Sequence, residues 1–180
     1  MRRLTPMILL ASMLALLAGG CGGGGASAEE KWAGSVCSAV GAWQDTLENS
    51  VNDVKTQLQS PTTGTRAAIK TDVQSAVTAT KKLSSDLKSI DRPSSDAGKK
   101  AQQQLSALST QLDQTVTKTK ETVAGIAGAG LTQIVTQLST LIPSLQGLAT
   151  SASTTLSAVR ASAQELRDGF HKADSCKRYP

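Results

Sequence analysis

Few residues of this chain have the types and spacing to do chemistry. His171, the single histidine, stands five residues before Cys176, and with Cys37 it would offer three of the nitrogen and sulfur ligands that zinc takes. In an exported chain two such cysteines oxidise to each other more readily than they hold a metal, so no metal site is expected. Ser85-Asp86-Leu87-Lys88 has the S-x-x-K spacing of an activated serine. The S-D-N and K-T-G partners of that chemistry are missing from the sequence, and the match reads as the solvated face of a helix. Gly125-Ile126-Ala127-Gly128-Ala129-Gly130 suggests a phosphate loop, but its spacings are those of G-x-G-x-x-G reversed and it follows a helical pattern, so it reads as a turn. Lys81-Lys82 and Lys99-Lys100 would attract anionic lipid or polymer, yet Asp86, Asp91 and Asp96 lie close in sequence and give a mixed surface. No catalytic residue and no cofactor is expected, and the chain does not read as an enzyme.

The elements that position these residues are helical. Val36, Val40, Trp43, Leu47, Val51, Val54 and Leu58 recur at three and four, ending at Ser60-Pro61-Thr62-Thr63-Gly64. Ile69, Val73, Ala76, Thr80, Leu83, Leu87 and Ile90 repeat strictly at four and three until Asp91-Arg92-Pro93-Ser94. A third stripe runs from Leu105 to Ile126, and a fourth from Leu131 to Phe170 with Pro143 inside it. No segment alternates with period two. Short connections between long amphipathic helices favour antiparallel neighbours, which predicts an all-α, up-down-up-down four-helix bundle or coiled coil. Residues 31–176 would form it, with 177–180 as a tail.

Cys37 and Cys176 sit near the start of the first helix and the end of the fourth segment, ends that share one pole in such a bundle, and they are the expected disulfide. From Cys37 to the first turn is 23 residues, whereas Leu131 to Cys176 covers 45. With the 6-residue difference between the second and third segments allowed for, about 16 residues remain, or about 24 Å of helix. Disulfide Cα atoms stand only about 5.5–6 Å apart. The fourth segment therefore cannot be one straight rod, and a kink or break near Pro143 is predicted, with an unwound tail after Gly169.

Composition narrows the reading. Of the 180 residues 39% are hydrophobic but only 2% aromatic, so one domain with an aliphatic core fits and an aromatic-lined cleft does not. Beyond Arg2 and Arg3 there are 17 basic against 14 acidic residues, too mild a balance for nucleic acid. Trp32, Trp43, Phe170 and Tyr179 all fall at the two ends that the bridge would join, as a packed plug would require.

Met1-Arg2-Arg3 precedes an apolar run of 12 residues, Met7 to Ala18, short of the roughly 20 a spanning helix needs. With Leu17-Ala18-Gly19-Gly20-Cys21 the segment resembles a bacterial lipoprotein signal, residues 1–20 being the signal peptide. The resemblance implies cleavage before Cys21 and lipidation of its thiol. Ala18 departs from the usual leucine at the third position before the cysteine, with Leu17 one place early. Two acyl chains give stable anchoring where one is marginal. Residues 21–30 would then be the lipidated cysteine and a flexible linker, of which Gly22 to Ala28 spans about 14 Å. The competing reading is secretion after cleavage at Ala26-Ser27-Ala28. Trp32-Ala33-Gly34-Ser35-Val36-Cys37 through Trp43, with a late Asp174-Ser175-Cys176, is similar to bacterial helical lipoproteins and brings no activity with it.

These features point to a non-catalytic interaction or structural module on the outer face of a bacterial envelope membrane. Its partners would be the membrane, through the anchor, and an envelope protein or polymer. The alternative is a carrier that holds a lipid or other apolar molecule between helices, using the room left by Ala76, Thr80, Thr119 and Ala152.

Overall fold

A computed structural model describes residues 25–126 and 128–179; Cys21 and the segment that resembles a lipoprotein signal lie outside the described residues. These residues form α1 (Ala28–Gln59), α2 (Thr65–Ser89), α3 (Asp96–Ile126), α4 (Leu131–Ala161), α5 (Gln164–Lys172) and a 3₁₀ turn, Asp174–Cys176. There is no strand among them.

Local chemistry sets the helix ends. The Ser27 hydroxyl accepts the Glu30 amide at 3.1 Å, and Glu29 and Glu30 oppose the positive end of the α1 dipole. α1 thus begins inside the stretch expected to be linker. Before α2, Thr65 turns its hydroxyl back to accept the Thr62 amide at 2.7 Å. At the start of α3 the Ser95 hydroxyl accepts the Gly98 amide, and a Cβ on Gly98 would lie 2.5 Å from the Pro93 carbonyl oxygen, so only glycine lets the chain double back there. Serine and threonine are mediocre helix formers because their hydroxyls compete for the backbone. Here many return the bond inside the helix, as Thr46 to Ala42, Thr71 to Ala67, Thr110 to Ser106 and Thr136 to Thr132 do at about one turn's distance.

The apolar stripes become one core. α1 packs on α2, α2 on α3 and α3 on α4, while α5 and the 3₁₀ turn fold back onto α1. Gln57 bonds Asp72, and Trp43 bonds Thr80, so partners advance along α2 as they retreat along α1. Ser84 and Ser109 reach each other's helix in the buried α2–α3 seam. Leu131 is the exception to the fourth stripe, with 43% exposure.

The predicted break near Pro143 is corrected by the structure, because α4 runs unbroken from Leu131 to Ala161 with Pro143 inside it. Proline removes the donor to the carbonyl four residues back, here Ser139, and both residues are exposed. Water can take the freed carbonyl, so the helix continues. Length is lost instead at Ser162 and Ala163, where Ala163 is extended and α5 turns back. α3 and α4 have 31 residues each, so α4 can match its neighbour before the chain turns. The chain after Gly169 is not unwound, since α5 continues to Lys172. Pro143→Ala is expected to raise stability by about 1–3 kcal/mol, short of the full cost of an interior proline because the Ser139 carbonyl already faces water; urea unfolding followed by circular dichroism measures it.

Candidate functional site

The start of α1, α5 and the C-terminal segment meet at one pole. Cys37 and Cys176 bring their sulfurs to 2.04 Å and their Cα atoms to 5.1 Å, and both side chains are buried. Beside them the Trp32 and Phe170 rings meet edge to face with centroids 6.0 Å apart. Trp43 donates its indole N–H to the Thr80 hydroxyl at 3.0 Å, and Thr80 donates in turn to the Ala76 carbonyl at 2.7 Å. Three of the chain's four aromatics are therefore in the core, and Tyr179 packs at its edge.

Residues 177–179 do not trail as a tail. Arg178 grips both carboxylate oxygens of Asp45, the Tyr179 hydroxyl donates to Gln44 Oε1 at 2.8 Å, and Arg160 donates to the Tyr179 carbonyl at 3.0 Å. Ser175 adds a bond from its hydroxyl to the Gly34 carbonyl at 2.8 Å. A Cβ on Gly41 would lie 2.8 Å from an Arg178 guanidinium nitrogen, so the glycine lets the clasp lie flat on α1. The sequence holds a trace of this: a chain tied at Cys176 must lay its next three residues on the helix that carries Cys37.

The Arg178 hydrogen bonds hold the Asp45 carboxyl below its usual range, and burial pushes the Tyr179 hydroxyl up. A carboxyl with a depressed folded-state pKa contributes stability above its unfolded pKa and loses it as pH falls through the folded one. Asp45→Asn is therefore expected to lower the melting temperature at pH 7 and to flatten its fall as pH drops below about 4, the wild-type advantage shrinking as its own carboxyl is protonated. Thermal melts of both proteins between pH 7 and pH 2 check it.

The remaining sequence candidates are dispersed. His171 is exposed, with the Arg160 guanidinium 3.2 Å and 3.4 Å from its two ring nitrogens. Among the described residues no three His, Cys, Asp or Glu side chains gather as metal ligands. Lys88 of the S-x-x-K match pairs with Asp113 on α3 at 2.7 Å, and Ser85 faces solvent. Gly125 to Gly130 joins α3 to α4, with Ile126 and Ala129 buried beneath it. Of the lysine pairs, Lys82 binds Asp86 and Lys99 binds Asp96.

One feature had no signal in the sequence. α1 and α4 meet only sparingly, and between them lies an open groove of about 490 Å³. Leu47, Val51, Leu145 and Ala149 form its apolar floor, Glu48 and Lys55 stand on its rim, and the Asp45–Arg178 pair closes one end. No helix of the described residues is long and apolar enough to cross a membrane. Comparison with protein-family models, with curated proteins and with solved structures finds no match for this chain.

Proposed function

We propose that this chain is an exported, membrane-tethered, non-catalytic module of a bacterial envelope: an up-down-up-down four-helix bundle whose α5 and C-terminal clasp close the pole nearest the lipidated Cys21. The observation that carries the reading is the Cys37–Cys176 pair. Buried sulfurs at bonding distance fit a compartment where disulfides persist, outside the cytoplasm, and the leader resembles a lipoprotein signal. The start of α1 favours the tether over secretion. A cut after Ala28 would remove the Ser27 cap and the first residue of α1, whereas a cut before Cys21 leaves both in place.

At that pole the cystine, the T-shaped aromatic pair and the Arg178 clasp fasten α5 and the C-terminal segment to α1. A rigid base on a short glycine linker suits a module that presents its helix faces to an envelope protein or polymer. The intact mass of the protein from its own membranes, before and after reduction, tests this. A lipidated chain beginning at Cys21 that gains two hydrogens on reduction supports it, and an unlipidated chain beginning at Glu29 overturns the tether.

The carrier reading has less behind it. Ala76, Thr80, Thr119 and Ala152, where room would be kept, are all at most 2% exposed, and Thr80 is engaged on two sides. Native mass spectrometry after gentle extraction separates the two, because a carrier retains a bound apolar species.

A further inference from the structure

The turn between α2 and α3 is pinned rather than loose. Pro93 is buried, its carbonyl leaves no room for a Cβ on Gly98, and the Ser95 hydroxyl accepts the Gly98 amide at 3.2 Å. One turn further, Gln102 donates its Nε2 to the Leu87 carbonyl at 3.0 Å and ties α3 to the end of α2. Arg92 precedes Pro93 and Lys99 follows Gly98, so the backbone that carries both cations is fixed. Between them opens a cleft of about 480 Å³, lined by Arg92, Lys99, Gln102, Gln103 and Ser106. The four residues from α3 follow at three, one and three, and so share one face of the helix.

The lining of this cleft is unlike that of its neighbours. The α1–α4 groove sets two acids against two bases on an apolar floor, and a cleft on the α1–α2 seam holds Lys82 with Asp86. Here two cations, two carboxamides and a hydroxyl stand together, with no carboxylate and no apolar side chain among the described residues that line the cleft. Asp91 and Asp96, the acids nearest in sequence, stand outside it. Asp96 does reach Lys99 at 2.9 Å, but 90% of its side chain is exposed, and an exposed pair of this kind is worth little. Lys99 can therefore exchange that partner for a better one.

We propose that this cleft binds a phosphate group. Arg92 supplies the planar fork that meets two oxygens of a tetrahedral anion, Lys99 supplies a point charge, and Gln103 and Ser106 supply neutral donors for the remaining oxygens. A carboxylate, planar and with two oxygens, would leave part of that donor set idle. Two sources carry the chemistry, an anionic lipid headgroup and free phosphate. Ser89 and Ile90 line one cleft with Ser35 and Ser38, which puts the end of α2, and with it Arg92, at the pole where α1 begins. Under the tethered reading above, on which only the lipid source rests, that pole lies a short linker away from the membrane.

The test is an NMR titration of the full chain, purified from its own cells into neutral detergent, with inorganic phosphate and with dihexanoylphosphatidylglycerol. Signals of Arg92, Lys99, Gln103 and Ser106 are expected to move and to saturate. Saturation by both probes alike assigns the site to free phosphate, and saturation by the lipid where phosphate has no effect assigns it to the headgroup. Arg92→Gln with Lys99→Gln should weaken binding about tenfold or more, since two charge-assisted contacts are lost. Lys118→Gln with Lys120→Gln makes the same change of charge farther along α3 and should leave binding within about twofold. Asp96→Asn should tighten it about twofold, because Lys99 loses its competing partner. All these side chains are exposed, so the melting temperature should hold, which separates a lost site from a lost fold. Cleft signals that move with neither probe, or binding that falls equally in the two double variants, overturn the proposal. An unlipidated chain removes the tether and leaves this titration standing, because neither probe is a membrane.

Discussion

Cys37→Ser or Cys176→Ser is expected to lower the melting temperature by about 10–20 °C, the largest effect of any single side chain here. The two residues close a loop with a sequence separation of 139, for which the chain-entropy model gives about 5 kcal/mol, mostly through the unfolded chain. In a protein of this length each kcal/mol moves the midpoint by about 2–4 °C. The location adds a folded-state cost. α4 touches α1 only sparingly, so the C-terminal segment is held to α1 by the bridge, α5 and the clasp together. Without the bridge, Arg178 and Tyr179 must find Asp45 and Gln44 across more than 130 residues of chain by their own exposed or half-buried contacts. Thermal melts by circular dichroism, with and without reductant, check this. Reductant should bring the wild-type protein down to the level of either variant and leave the variants unmoved. The double variant should melt with the single ones, because removing either sulfur removes the whole bridge. A midpoint that moves by less than about 3 °C would mean that the two ends dock without help.

Much of this architecture was legible in the residues, and the misreadings have physical causes. Strict four-three spacing from Ile69 to Leu87 became the buried side of α2, because a helix with one apolar stripe has one face to bury, and Ile90 caps its end half-buried. Ser60–Gly64 and Asp91–Ser94 became turns, since proline and glycine act on their own backbone. Pro143 misled for the complementary reason. Its missing N–H is local, but the cost depends on whether the Ser139 carbonyl meets water or protein, and that is settled by how α4 lies on α3. The corner at Ser162 and Ala163 carries neither glycine nor proline; it falls where α4 has matched the length of α3. The clasp pairs residues separated by 133 positions, beyond the reach of any local pattern. The α1–α4 groove is a packing defect between two stripes that each look complete.

Trp43 carries the second large effect. Its side chain is 2% exposed, and its indole N–H is the buried bond from α1 to Thr80 on α2. Trp43→Ala removes a large ring from a core with almost no other aromatic bulk to fill the space, and is expected to cost about 3–5 kcal/mol. The hydrogen bond is a minor part of that, and its two ends are unequal. Trp43→Phe keeps most of the ring and takes away the donor, yet Thr80 still donates to the Ala76 carbonyl, so the orphaned polar group is only a second lone pair. Thr80→Val keeps the shape of the threonine but leaves the indole N–H buried with its acceptor gone, which costs about 1–3 kcal/mol. At the hydrogen bond, Thr80→Val should therefore destabilise more than Trp43→Phe loses through its donor. Adding Thr80→Val to Trp43→Phe should cost less than Thr80→Val alone, because no donor is left stranded. Urea unfolding of the four proteins in the cycle measures this. If Thr80→Val costs the same with tryptophan or phenylalanine at position 43, the bond does not couple α1 to α2, and the ring holds the two helices together by packing alone.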